Sequence, residues 1–142
     1  QLVMIGPANP PPPVVVRFEG DSTVPSKSSE AELDAAAVVM KDHPGIALLR
    51  IEGHDDPSSG ATKALALSRA RAEAVVKALT QRGVDKSRLR AVGLGGYCPL
   101  APSQTPDDRA KNRRAEFRVE TSDEGLTAPE VGCPPSRNAG IR

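Results

Sequence analysis

The order of apolar and polar residues follows two spacings along the chain, one typical of strands and the other of helices. β-Branched runs or alternating residues predict four strands, at 14–18, 46–52, 89–92 and 115–120. Apolar residues three and four positions apart predict long helices over 29–43 and 61–82, and a short helix is predicted over 106–112. Strands that alternate with helices predict an α/β or α+β fold, an open sheet covered by helices on one side.

Local signals set the ends of these elements. Ser29-Glu30-Ala31-Glu32 matches the capping box that opens a helix, and Pro44-Gly45 ends the helix that follows. Gly83 is placed as the residue after the last turn of the second helix. The alternation of 115–120 predicts a strand with one face in solvent.

Composition divides the chain into three parts. Residues 1–13 end in four prolines and are predicted to form a semi-rigid linker. Residues 14–120 carry the predicted elements and form one domain, and residues 121–142 lack periodicity and are predicted to be an irregular tail. The chain begins with Gln1, so we interpret it as a processed protein or an excised piece. No stretch has the length of a transmembrane helix or the pattern of a signal peptide.

Charge, aromatic content and cysteines narrow the classes of function. The formal net charge is +1 and only 2% of the residues are aromatic, which argues against a nucleic-acid partner. Cys98 and Cys133 lack the C-x-x-C spacing of zinc sites. A disulfide between them would hold the tail against the domain and would imply an oxidising compartment.

The sequence carries no motif for catalysis and implies no cofactor. It lacks a nucleophile elbow and a phosphate loop with its lysine, and the adjacent carboxylates Asp55 and Asp56 make only a weak metal site. Asp56 follows the second predicted strand, at the end of the sheet where α/β folds place ligands. Arg69 and Arg71 lie on opposite margins of the next helix, and helical geometry does not choose between them. A solvated face with surface ion pairs also fits these charges.

Four sequence blocks occur in a recognisable order between residues 14 and 120. They are Gly53-His54-Asp55-Asp56, Leu67-Ser68-Arg69-Ala70-Arg71-Ala72, Gly93-Leu94-Gly95 with Pro99, and the run RAKNRRAE over 109–116. Together they resemble the C-terminal domain of the OmpA family, which includes peptidoglycan-associated lipoproteins and the stator protein MotB. The resemblance implies a non-enzymatic α/β (α+β) sandwich of the βαβαβ type, with a mixed four-stranded sheet and helices packed on one face.

Members of this family bind peptidoglycan non-covalently through the diaminopimelate residue of its stem peptide. The resemblance assigns this contact to Asp56 and Arg71, because the family places its arginine 15 residues after its aspartate, and so it selects Arg71 over Arg69. An aspartate and the fork of an arginine complement the ammonium and carboxylate groups of diaminopimelate. The resemblance assigns four further pocket contacts, to Leu67, Asp21, Asn112 and Arg113. For Asn112-Arg113, support of the fold is an equal interpretation.

The chain departs from the family pattern close to this site. The threonine that usually precedes the key aspartate is Asp55 here, which adds a second carboxylate to the pocket. An asparagine of the family is replaced by Ala64, a glycine comes one residue late as Gly60, and Asp108 replaces another glycine. These differences bear on the affinity for a ligand rather than on the fold.

The sequence therefore predicts a periplasmic peptidoglycan-binding domain that anchors an outer-membrane or envelope protein to the cell wall, through a part of the protein outside this chain. We expect no membrane insertion by this segment; a second copy or an envelope protein is a further candidate partner. An alternative hypothesis keeps the fold but gives it a degenerate pocket, as a protein-interaction or oligomerisation module. A cell-wall hydrolase would need a nucleophile or metal site that the sequence does not offer.

Overall fold

The computed structural model describes residues 15–122. The strands are β1 (Val15–Arg17), β2 (Ile46–His54), β3 (Leu89–Gly93) and β4 (Arg114–Ser122). The α-helices are α1 (Glu30–Asp42), α2 (Ala61–Gln81) and α3 (Pro106–Asn112), and single 3-10 turns lie at Lys27–Ser29, Pro57–Ser59 and Lys86–Arg88. The proposed linker, most of the proposed tail and Cys133 lie outside the described residues. The division into three parts and the Cys98–Cys133 disulfide therefore stay predictions.

The four strands form one mixed sheet in the order β1-β4-β2-β3. β2 pairs in parallel with β3 and antiparallel with β4, and β4 pairs antiparallel with β1. The parallel pair needs a long crossover, which α2 supplies with 21 residues. The predicted fold class is confirmed. Within residues 15–122, no helix is both long and apolar enough to span a bilayer.

α1 and α2 bury their apolar stripes against one face of the sheet. The core is built from both helices and from all four strands, and includes Val16, Leu33, Met40, Ile51, Val75, Leu79, Leu89 and Phe117. Gly83 follows α2 with a φ of +94°, as its predicted place after the last turn requires. Leu65 follows the apolar spacing that predicts this helix, yet it is 46% exposed, because Ala64 takes the buried position one residue earlier.

The start of α1 differs from the predicted capping box. Ser29 precedes the helix, but its side chain forms no cap hydrogen bond. Its Oγ instead accepts a hydrogen bond from the backbone N of Arg17 at 2.8 Å. The hydroxyl therefore ties the start of α1 to β1, because a tertiary partner has replaced the local one.

The second face of the sheet, which we call the polar face, also differs from the prediction. Its charged or polar residues are Arg50, Glu52 and His54 of β2, Arg90 of β3, and Arg114, Glu116, Arg118 and Glu120 of β4. The alternation of 115–120 predicted a solvated face, but Glu116 is 1% exposed, and Arg114, which lies just before this range on the same face, is 0% exposed. Alternation shows which residues share a face; it does not show what lies on that face.

Gly53 lies where β2 passes closest to α2. A Cβ at this position would overlap the backbone carbonyl oxygen of Ser68 and would lie 3.1 Å from the backbone N of Ala72. Gly53→Ala is therefore expected to lower the free energy of unfolding by about 2–3 kcal/mol, since strand and helix must move apart. Urea denaturation measures this loss. Gly60→Ala is the control, because open space surrounds its missing Cβ and it tests only the strain of its φ of +91°. A loss at Gly53 no larger than that at Gly60 would contradict the close approach.

Candidate functional site

A cluster of charged and polar groups lies at the end of β2. Asp55 and Asp56 follow this strand directly, and the backbone N of Asp55 donates to the carbonyl oxygen of Gly95 at 2.9 Å. Three other parts of the chain reach the same place: segment 18–26 after β1, the middle of α2, and loop 94–105 with α3 behind it. The site therefore depends on contacts between residues far apart in the sequence.

Arg71 is fully buried, and each nitrogen of its guanidinium group has a partner. Nη1 donates to the Asp55 carboxylate at 2.8 Å and to the carbonyl oxygen of His54 at 3.2 Å. Nε donates to the carbonyl oxygen of Ser22 at 3.0 Å, and Nη2 to that of Gly20 at 2.7 Å. Segment 18–26 thus closes over Arg71, and Asp55 neutralises its charge.

Asp56 binds a different set of partners. Its carboxylate accepts hydrogen bonds from Nδ2 of Asn112 at 2.8 Å and from Oγ of Ser103 at 2.7 Å. It also accepts from the backbone N of Ser58 at 2.9 Å and from the Ser58 hydroxyl, as the cap of the 3-10 turn. Burial raises the pKa of Asp56, but the hydrogen bonds from Asn112, Ser58 and Ser103 outweigh it and hold the pKa below its usual value. Asp56 is therefore ionised at neutral pH.

Segment 18–26 contributes two side chains to the site, the aromatic ring of Phe18 and the carboxylate of Asp21. The Phe18 ring lies under Arg71, with its centre 5.4 Å from the guanidinium carbon, within the range of a cation–π interaction. Asp21 is exposed and forms an ion pair with Lys63 of α2 at 2.9 Å. The Lys63 ammonium group lowers the pKa of Asp21 by hydrogen bond and charge. This pair joins the segment to the first turn of α2 at the surface.

Asn112 connects loop 94–105 to Asp56. Its Oδ1 accepts hydrogen bonds from the backbone N of Leu100 at 2.7 Å and of Ala101 at 3.1 Å, while its Nδ2 holds Asp56. Asn112 is 0% exposed, so all these contacts are internal. Arg113, the next residue, is half-buried, as is Leu67 one turn before Arg71 on α2.

The structure gives Asp55 and Asp56 different roles, which the sequence does not separate. Within residues 15–122, the carboxylate paired with Arg71 is that of Asp55. Asp56 has extended backbone, with φ −77° and ψ 138°, and neighbouring side chains of an extended chain point in opposite directions. Sequence reasoning also missed Ser103, which has a φ of 66°, a rare value for a residue with a side chain. No spacing or motif in the sequence marks this serine.

One further group of potential metal ligands lies on the polar face. Glu52, His54 and Glu116 offer ligand atoms that lie within 4.8 Å of one another. Both carboxylates already bind guanidinium groups: Glu52 accepts from Nε of Arg50 at 2.9 Å, and Glu116 from Nε of Arg114 at 2.7 Å. A dication would have to compete with these arginines. We therefore interpret the group as an ion-pair cluster and assign it no metal.

Comparison with known proteins matches residues 17–113 to the model of the OmpA family. The probable lipoprotein YiaD of Escherichia coli (strain K12) is 36% identical over 104 residues, 73% of this chain and 47% of that protein. The peptidoglycan-binding protein ArfA of Mycobacterium bovis is 35% identical over 107 residues (75% and 32%), and the peptidoglycan-associated lipoprotein of Rhizobium meliloti is 34% identical over 98 residues (69% and 55%). This chain spans between about a third and about half of the length of these relatives.

Solved structures show the same fold. The peptidoglycan-associated lipoprotein of Burkholderia pseudomallei superimposes with a TM-score of 0.69 at 32% identity, covering 80% of this chain and 97% of that one. The C-terminal domain of Helicobacter pylori MotB gives 0.67 at 26% identity, with 78% and 85% coverage. The names of these relatives describe lipoproteins and a peptidoglycan-binding protein rather than enzymes, which agrees with the predicted non-enzymatic role. By its sequence match over residues 17–113, and in agreement with its fold, the chain belongs to the OmpA family.

Proposed function

We propose that this domain binds peptidoglycan non-covalently from the periplasm and anchors an outer-membrane or envelope protein to the cell wall. Membership of the OmpA family supports the proposal, as do two relatives whose names refer to peptidoglycan. The observation that carries it is the buried arginine with two carboxylates at the end of β2. We further propose diaminopimelate of the stem peptide as the recognised group, with Asp56 and Arg71 as its main contacts.

The two charges suit the two ends of such a ligand. Diaminopimelate carries an ammonium group beside a carboxylate, and Asp56 is an ionised acceptor for the first of these. The fork of Arg71 matches the carboxylate with two parallel hydrogen bonds. Asp21 and Arg113 would contact the ligand at the mouth of the pocket, Leu67 would form its wall, and Asn112 would hold Asp56 in place. Two opposite charges would recognise such a ligand without aromatic side chains in the pocket.

Ligand access requires segment 18–26 to move. The Arg71 side chain is 0% exposed, and the carbonyl oxygens of Gly20 and Ser22 occupy two of its nitrogens. A ligand carboxylate is a stronger acceptor for a guanidinium group than a backbone carbonyl. Replacement of these carbonyls by the ligand is therefore favourable once the segment opens.

Co-sedimentation with purified peptidoglycan tests the proposal. The wild-type protein is expected to sediment with peptidoglycan that contains diaminopimelate, and Asp56→Asn to bind at least about tenfold more weakly, because a charge-assisted hydrogen bond is lost. Arg82→Ala is the matched control, since Arg82 pairs with Glu30 and Asp34 at the other end of α2. Wild-type protein that stays in the supernatant would refute peptidoglycan binding. Equal binding to peptidoglycan with lysine in place of diaminopimelate would refute only the finer assignment, because lysine lacks the second carboxylate.

Asp55→Thr is expected to tighten binding of a diaminopimelate-containing stem peptide by about tenfold, or 1.4 kcal/mol. Asp55 occupies Nη1 of Arg71, so it competes with the ligand carboxylate for the same donor. Titration calorimetry measures the affinity, and urea denaturation of the same variant measures what the lost ion pair costs in stability. Weaker binding by Asp55→Thr would instead make Asp55 a ligand contact.

A second candidate function is that of a protein-interaction or oligomerisation module with a degenerate pocket. The observation in its favour is that Asp55 and the carbonyls of segment 18–26 already occupy every nitrogen of the Arg71 guanidinium. The peptidoglycan assay separates the two functions. A folded wild-type protein that fails to bind any peptidoglycan, together with Asp55→Thr that also fails, would favour the second candidate.

A further inference from the structure

The middle of the polar face is a buried charged surface, and we propose that the chain's own segment 123–133 covers it, fixed at its far end by a disulfide between Cys133 and Cys98. The proposal concerns a surface on the opposite side of the sheet from α1 and α2. It stands independently of peptidoglycan binding, since it rests on the path of the chain, on burial and on charge.

The path follows from where β4 begins and ends. The chain leaves β4 at Ser122, while at its start Nη2 of Arg114 donates to the carbonyl oxygen of Cys98 at 2.9 Å. Cys98 therefore lies at the opposite end of β4, about 27 Å from Ser122 along the strand. Eleven residues from Ser122 to Cys133 reach at most about 36–40 Å. A segment of this length brings Cys133 to Cys98 only if most of it runs back along β4.

The position of β4 selects the side on which the segment returns. β2 pairs with β4 along its whole length, and β1 pairs with the other edge at Arg114–Glu116, the end nearest Cys98, so neither edge offers an open path back to Cys98. The opposite face of the sheet is filled by α1 and α2, which form the core there. The direct route back to Cys98 therefore crosses the polar face.

Burial of the polar face gives independent support. Arg50, Glu52 and His54 lie in the middle of the sheet and are 1%, 0% and 0% exposed. Charged side chains on a sheet face lose contact with water to this extent only when another part of the protein lies on them. Among the described elements, the two long helices lie on the other side. The segment after β4 continues directly from an inner strand of this face, which makes it the candidate for the cover.

Charge complementarity also favours this occupant. Across the polar face Arg50 lies opposite Arg118 and Glu52 opposite Glu116, so like charges face each other on neighbouring strands. The face carries four arginines against three glutamates, an excess of positive charge. Segment 123–133 carries three acidic residues and no basic one: Asp123, Glu124 and Glu130.

The disulfide needs an oxidant, and its position links it to the pocket. Forming the bond takes two electrons and two protons from the thiols, and a disulfide-class oxidant accepts them and is reduced to two thiols. Cys98 belongs to the same loop, 94–105, as Ser103, which donates to Asp56. The bond would therefore also restrain the loop that holds this carboxylate.

Backbone amide NMR spectra of the full chain, oxidised and then reduced with a phosphine, test the proposal. We expect reduction to shift the amide signals of 50–54 and 114–120 and to leave those of α1 in place. Cys133→Ser is expected to reproduce the reduced spectrum without reductant. In the oxidised protein, Glu124→Gln with Glu130→Gln should shift the guanidinium signals of Arg50 and Arg118, which keeps the test valid if reduction unfolds the domain.

Four other outcomes would overturn the proposal. Free thiols with an unchanged spectrum would show that the disulfide does not form. Amide shifts confined to 94–105 would show that the disulfide forms but that segment 123–133 does not lie on the polar face. Shifts confined to 15–17 would show that this segment runs along the β1 edge of the sheet. Signals of the polar face that respond to dilution rather than to reductant would assign the cover to a second copy of the chain.

Discussion

Arg71→Ala is expected to lower the free energy of unfolding by about 3–5 kcal/mol and to abolish binding to peptidoglycan. Arg71 and Asp55 are both fully buried, so removal of the guanidinium leaves a carboxylate without its counter-charge in a place from which water is excluded. The carbonyl oxygens of Gly20 and Ser22 lose their donors in the same change, which adds to the loss. Urea denaturation measures the stability, and co-sedimentation measures the binding.

A double variant separates the two effects. Asp55→Leu combined with Arg71→Met removes both buried charges and keeps apolar volume, so most of the stability is expected to return. Binding is not expected to return, because the fork that would hold the ligand carboxylate is absent. If Arg71→Ala alone costs less than about 1 kcal/mol, the guanidinium is solvated in solution and the closed arrangement of segment 18–26 is wrong.

Acidification from pH 7 to pH 4 is expected to cost about 3 kcal/mol of stability through His54 alone. Burial lowers the pKa of His54 to about 4, and the Glu52 carboxylate, 3.9 Å from Nε2, opposes this only in part. In the unfolded chain the group titrates near its ordinary value of 6.5. The unfolded state therefore binds the proton first as the pH falls. The contribution of neutral His54 to the free energy of unfolding is therefore complete above about pH 6.5 and is lost progressively between pH 6.5 and pH 4.

Urea denaturation at a series of pH values measures this dependence, with His54→Gln as the matched control. Stability of the variant is expected to change little between pH 6.5 and 4.5, because the titrating group is gone. The lowered pKa values of Asp56 and Glu52 act at more acidic pH, since their stabilising contributions are present above their unfolded values and are lost as the pH falls further. Equal slopes for wild type and His54→Gln would show that His54 is accessible to protons in the folded protein.

The sequence predicted the fold correctly where a local pattern is compatible with only one type of secondary structure. The stripe of α1 and the β-branched run of β1 predicted elements that the structure confirms within a few residues. The pattern failed where a local signal competed with a tertiary partner: Ser29 has the capping sequence but binds Arg17 instead. It failed again on the polar face, because Arg114 and Glu116 alternate with apolar residues in the same way whether water or protein covers them.

The position of the charged cluster at the end of β2 was predictable from the sequence, but the pairing of its charges was not. The end of β2 and the position of Arg71 on α2 follow from the spacing of motifs along one stretch of chain. The partner of Arg71 depends on which of two neighbouring carboxylates turns inward, and that is set by the backbone of Asp56 and by loop 94–105. Ser103 comes from this loop, whose conformation arises from contacts distant in sequence and leaves no local pattern to read.

Because segment 18–26 closes over Arg71, the affinity for a ligand depends on the fraction of molecules in which this segment is open. A ligand that enters only the open form binds more weakly than the open pocket itself, in proportion to the open fraction; with about one molecule in a hundred open, the apparent affinity falls about a hundredfold. If the domain binds peptidoglycan as proposed, the stem peptides repeated along each strand would allow many such weak attachments to combine into a strong one through multivalency. Each attachment would then exchange quickly while the envelope as a whole stays attached to the wall.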